Sequence, residues 1–207
     1  MGRSILIYGK SGSGKSRSLK EFSEDEIFLV NVIKKDLPFR KKFKYTYQTD
    51  NSEKIINALA QMPTKTAVID DAGYLLTNAF MRGHSAPKKG ASSFDLYNDI
   101  ADSFWKLLEF IKNNLADDIN VYIIMHESSN DYGDTKLRTI GKLLDEKVCI
   151  EGTVTIALRC MTDGQRHYFR TQSDGFDISK SPEEMFELEI ENDLKEVDTA
   201  IREYYKN

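Results

Sequence analysis

Eight residues near the start of the chain, Gly9-Lys10-Ser11-Gly12-Ser13-Gly14-Lys15-Ser16, have the types and spacing needed to hold a row of phosphates. They satisfy G-x-x-x-x-G-K-[ST] in full. Glycines let the backbone curl until successive N–H groups point inward at phosphate oxygens. Lys15 would place an ammonium on the outer phosphates, and the Ser16 hydroxyl would be a ligand for Mg2+. A helix expected from Lys15 to about Phe22 would add the positive end of its dipole. The loop predicts a nucleotide bound with magnesium.

A second element must bring a carboxylate to that metal. The apolar run Thr66–Asp70 reads as a buried strand that delivers Asp70 to its carboxyl end, where ligands bind in open α/β sheets. Asp70 is therefore expected to share the metal with Ser16. Asp71, next along, could orient or deprotonate an attacking water. His126 and Glu127 follow a further apolar run, Ile119–Met125. If that strand lies between the P-loop strand and the Asp70 strand, His126 faces the outermost phosphate as a sensor, and Glu127 joins the catalytic candidates.

The remaining elements form a scaffold for these groups. Ser4–Tyr8 and Ile27–Ile33 read as strands, Ser52–Gln61 as a helix, and Gly73–Ala91 as a long connection. Ser92-x-x-Asp95 is a capping box opening a helix whose apolar residues recur at three or four. Glu127–Asp134 reads as a loop and Lys136–Asp145 as a helix. Thr153–Cys160 and Arg166–Thr171 flank an Asp163-Gly164 hairpin turn, and the tail from Glu183 has helical spacing. Strands alternating with helices imply one α/β domain over 1–207, its mainly parallel sheet covered on both faces and ending in an antiparallel hairpin.

Composition narrows the class. The 207 residues are 40% hydrophobic and 30% charged, as in ordinary globular domains, and no run has the length of a membrane span. Cys149 and Cys160 read as free buried thiols, and three scattered histidines give no metal pattern. A cytoplasmic location is expected. The net charge of −4 is uneven: residues 183–207 carry nine acidic and three basic side chains, which leaves the preceding 182 residues at +2. Six cations fall within Lys34–Lys44, namely Lys34, Lys35, Arg40, Lys41, Lys42 and Lys44, with Phe39, Phe43, Tyr45 and Tyr47 interleaved. Cations for phosphates beside rings for bases are what single-stranded DNA requires.

Asp70-Asp71-Ala72-Gly73 also fits the D-x-x-G of GTPases, but the strand ending at Met125 leads into His-Glu-Ser-Ser rather than a guanine reader. A small nucleotide kinase, or a nucleotide-dependent binding module that hydrolyses weakly, fits the same loop. The runs ILIYGKSGSGKS, LPFRKKFK, AVIDDAGYLL, TIGKLLDEKVCIEG, DGQRHYFRTQ and KSPEEMFE, in that order, resemble the phage-encoded RecA-like P-loop ATPases of the Sak-type single-strand annealing group. The resemblance spans nearly the whole chain. It implies a RecA-like core, ATP as the nucleotide, and a role in phage DNA recombination or annealing alongside a single-strand-binding protein. It further implies a DNA-touching loop at Ser128–Arg138, with Lys136 and Arg138 as contacts. Homo-oligomerisation stays open.

Overall fold

The computed structural model describes residues 1–85, 93–144 and 148–206. The start of the capping box, at Ser92, lies outside them. Among the described residues, nine strands form one sheet. They are β1 (Arg3–Gly9), β2 (Ile27–Asn31), β3 (Tyr45–Tyr47), β4 (Thr66–Asp70), β5 (Asn120–Ser129), β6 (Thr135–Leu137), β7 (Ile156–Thr162), β8 (His167–Arg170) and β9 (Glu189–Glu191). The order is β3-β2-β4-β5-β1-β7-β8-β9, with β6 paired to the far end of β5. Pairings from β3 through β7 are parallel; β6, β8 and β9 join antiparallel. The expected α/β sheet with a late antiparallel hairpin is present.

The central strands are apolar at successive positions because both their faces are covered. Leu6 and Tyr8 of β1 point into one core with Ile69, Ile123 and Met125, roofed by α1 (Ser52–Leu59), α2 (Gly73–Ser85) and α3 (Ser93–Asn114). Ile5 and Ile7 point into the other, with Val68, Ile124, Leu158 and the apolar stripe Leu194, Val197 and Ile201 of α4 (Leu194–Tyr204). That stripe and the N-cap Asp193, which accepts from the Lys195 and Glu196 N–H groups, make α4 a packed helix despite its acidic surroundings.

Four expectations change. Most of the connection at 73–91 is helical, because Leu75, Leu76, Ala79 and Phe80 supply an inward face from Gly73 onward. β5 runs on through His126 and Glu127 to Ser129, and residues 135–137 pair back on it as β6 instead of opening a helix. The tail is not helical from Glu183: Glu189–Glu191 extends the sheet first, and α4 starts at Leu194. Cys160 is buried but Cys149 is exposed.

Asp198 shows where part of the tail's acidity goes. It is buried, and its carboxylate accepts hydrogen bonds from Thr66 Oγ1 (3.0 Å), Asn120 Nδ2 (2.8 Å), Tyr122 OH (2.9 Å) and Arg202 Nε (2.7 Å). Thr66, Asn120 and Tyr122 lie at the starts of β4 and β5, and Arg202 lies one turn further along α4. The acid ties α4 to the sheet edge opposite the phosphate loop.

Candidate nucleotide site

Three adjacent parallel strands, β4, β5 and β1, end their buried runs side by side. Gly9, the last residue of β1, stands opposite His126 of β5, so the loop at 9–16, the acids at 70–71 and the imidazole meet at one edge. β5 does lie between the other two, which was the condition for His126 to face the phosphate loop.

Within the loop, the Lys15 ammonium curls back to donate to the Gly9 carbonyl (2.9 Å) and the Lys10 carbonyl (2.7 Å). Burial lowers its pKa from the ordinary lysine value, although it keeps these partners. Gly14 has φ of 104°, and a Cβ there would meet His167 Nδ1 at 2.8 Å, so the position excludes a side chain twice over. The helix expected from Lys15 is a single 3-10 turn, Ser16–Leu19. Ser18 Oγ donates to the Lys15 carbonyl (2.6 Å), a local bond that competes with a continued helical ladder. Loop N–H groups, more than a long helix dipole, therefore set the local field.

The loop is braced from the other end of the chain. The Ser13 carbonyl accepts from His167 Nδ1 (2.8 Å) and from the Cys160 thiol (3.0 Å). Asn192 donates to Cys160 Sγ (3.2 Å) and accepts from Arg17 (3.3 Å). Burial pushes the Cys160 thiol up to about 11, so it acts here as a donor and not as a thiolate. Sequence reasoning missed His167, Asn192 and the role of Cys160. Their positions follow from β7 pairing with β1, which no local motif announces.

Ser16 Oγ donates to Asp70 Oδ1 at 2.9 Å. Asp70 is almost wholly buried; burial first, and then the charge of Asp71, raises its pKa to about 6. A hydroxyl and a carboxylate at hydrogen-bond distance form a hard-oxygen donor pair of the kind Mg2+ accepts, with phosphate and water filling its other positions. The residues fit the ion. A cation there would also offset the burial that now favours the protonated acid.

Asp71 is held in a left-handed backbone conformation, φ 60°, where β4 turns into α2. Aspartate tolerates that region better than most residues. Its Oδ1 lies 3.3 Å from His126 Nε2, and its other oxygen is ion-paired with Lys35. Burial works to raise its pKa, but the His126 and Lys35 contacts outweigh it and hold the carboxyl below its usual range. His126 Nδ1 is 3.4 Å from Lys15 Nζ. The ammonium can only donate there, which leaves the imidazole proton on Nε2, facing Asp71. The cleft over these groups measures about 390 Å³ and is lined by the loop together with Arg17, Lys35, Asp36, Pro38, Asp71, His126 and His167.

Glu127 does not join them. One residue beyond His126 along an extended strand, it points the other way, and Arg159 clamps both its oxygens at 2.9 Å. Its side chain is 2% exposed, so it is a structural ion pair and not a base in the cleft.

The basic segment is also redistributed. Lys35, expected on DNA, lines the nucleotide cleft. Lys41 donates to the Lys20 carbonyl and to the Phe22 carbonyl (2.6 Å). Phe43, expected to stack on a base, is 5% exposed in the core against Phe39 and cannot do so as placed. Lys34, Arg40, Lys42 and Lys44 remain exposed, Lys44 over the Tyr45 ring. Lys136 and Arg138 are exposed on and just after β6, and the turn of that β5–β6 hairpin presents Tyr132, 88% exposed.

A glycine loop after the first strand, an acid ending a parallel strand two places away, and a lysine folded into the loop define a P-loop nucleoside-triphosphatase. The family described as AAA domain matches residues 1–181, and the chain belongs to it. A search of curated proteins finds no match.

Proposed function

We propose that this protein binds ATP with Mg2+ at the 9–16 loop and hydrolyses it, and that turnover serves a transaction on single-stranded DNA such as recombination or annealing. The single observation that carries the ATPase reading is the Ser16–Asp70 hydrogen bond, which joins the loop to the acid-ended strand. In this reading the loop N–H groups seat the phosphates. Lys15 exchanges the Gly9 and Lys10 carbonyls for phosphate oxygens. Ser16 and Asp70 would hold the ion, which supplies charge neutralisation at the transferred phosphoryl group. Asp71, kept ionised and aimed by His126, orients the attacking water.

The DNA half rests on the resemblance of the sequence runs, on the cations left exposed at Lys34, Arg40, Lys42 and Lys44, and on the hairpin that carries Tyr132 with Lys136 and Arg138 beside it. A single-strand-binding protein is the expected partner of such an activity. ATP hydrolysis titrated with Mg2+ and then with single-stranded DNA tests both halves. Turnover that depends on Mg2+, is lost in Asp70→Asn and rises with DNA is the expected result. Tight ATP binding without turnover would instead support a nucleotide-dependent binding module, and transfer of phosphate to a nucleoside monophosphate would make it a kinase.

A further inference from the structure

Lys35 is placed with more care than a surface lysine needs. Lys34 before it adopts φ 57°, turning the chain back after β2. The buried Asn31 side chain then donates to the Lys35 carbonyl at 2.7 Å, fixing the backbone there. Its ammonium, with the side chain 42% exposed, sits on an Asp71 carboxylate only 3% exposed. Asp71 leads through His126 to Lys15, so two lysines bracket one imidazole–carboxylate pair in a single cleft.

A triphosphate entering this cleft brings its outermost oxygens toward Asp71, which is a repulsive meeting unless a cation stands between them. Lys15 is committed from the loop side, and Arg17 is engaged with Asn192. Lys35 already sits on that carboxylate, and its flexible stem lets the head shift by a few ångströms. ADP has no group in that place.

We propose that Lys35 is a second phosphate-binding residue, supplied in cis, that engages the terminal phosphate of ATP and stays on Asp71 when ADP is bound. This rests on the ATP reading of the cleft. Calorimetric affinities for Mg·ADP and for a slowly hydrolysed Mg·ATP analogue test it, in wild type, Lys35→Met and Lys35→Arg. The preference for the triphosphate should fall about tenfold in Lys35→Met, the scale of one lost charge-assisted bond, with ADP affinity changed less than about twofold. Lys35→Arg should keep most of the preference. An equal loss for both nucleotides, as a mere tether would give, or an unchanged ratio, overturns the proposal alone. Wild type that binds neither nucleotide overturns the ATP reading and this inference with it. If Lys35→Met fails to fold because Asp71 is left uncompensated, Lys35→Met/Asp71→Asn is compared with Asp71→Asn, both free of that repulsion; the triphosphate preference should fall when Lys35→Met is added, and an equal preference in the two overturns the proposal.

Discussion

The phosphate loop and the basic segment that follows β2 are both short, charged and easy to find in the sequence, yet they differ in how they relate to the fold. Residues 9–16 act together: every element of the motif serves one cleft. Residues 34–44 are dispersed: Lys35 goes to Asp71, Lys41 to backbone carbonyls and Phe43 to the core, while the exposed Lys34, Arg40, Lys42 and Lys44 lie outside the nucleotide cleft's lining. The loop's chemistry is carried by backbone N–H groups whose direction glycines dictate locally. The segment's chemistry depends on side chains, and each long side chain goes to the best partner that tertiary packing offers.

Phe43→Ala breaks this contrast most directly. A ring buried in the core should cost about 3–5 kcal/mol of stability in denaturant unfolding, with no specific loss of DNA affinity once the folded fraction is counted. If stability holds and DNA binding falls by ~1–3 kcal/mol, the ring is a stacking residue after all. Next in size is Lys15→Ala, expected to lower ATP turnover by ~10²–10³-fold, as loss of one preorganised transition-state contact does, with circular dichroism unchanged. Turnover near that of wild type would remove the loop lysine from the mechanism.

Asp70 gives a pH test in the metal- and nucleotide-free protein. Its folded pKa of about 6 lies above the unfolded value of about 4, so protonation stabilises the fold. That contribution is complete below about pH 4 and is lost as pH rises through about 6. Relative to Asp70→Asn, wild type should therefore lose up to about 3 kcal/mol between those limits, read from urea unfolding. A flat difference would mean that the acid is not desolvated. The smallest effect belongs to the exposed cations. Arg40→Glu with Lys42→Glu should reduce the slope of log affinity against log salt for single-stranded DNA by about 1.4, at ~0.7 per contact, and leave DNA-free ATPase unchanged. An unaltered slope would shift attention to Tyr132, Lys136 and Arg138.

Much of the scaffold was legible because buried parallel strands announce themselves. Ser4–Tyr8, Thr66–Asp70 and Ile119–Met125 are apolar at consecutive positions, and a motif marks the end of the first. The 73–85 helix was hidden by glycines at 73 and 83, which look like loop residues although Gly83 only makes room for Leu96. The β6 pairing was hidden by its length of three residues. Within the site, Lys15, Ser16, Asp70, Asp71 and His126 could all be found from motif and strand ends. Lys35 had a usable signal as well, since it follows the end of a strand beside the Asp70 strand. Its basic neighbours obscured that signal. His167 and Asn192 had none, because their relation to the loop exists only through the pairing of β7 with β1.

That pairing has a kinetic consequence. The loop at 9–16 is synthesised well before its supports: His167, bonded to Ser13, lies 154 positions on, and Asn192, bonded to Arg17 just past the loop, lies 175 on. Contacts of such long separation must pay for closing a large loop before they return anything, so they form late in folding. At ~5–20 residues per second, a ribosome exposes the phosphate loop many seconds before its support. The nascent chain can thus build the strands and helices of residues 1–125 while its nucleotide loop is still unsupported. Competence to bind nucleotide would then mark the last stage of folding.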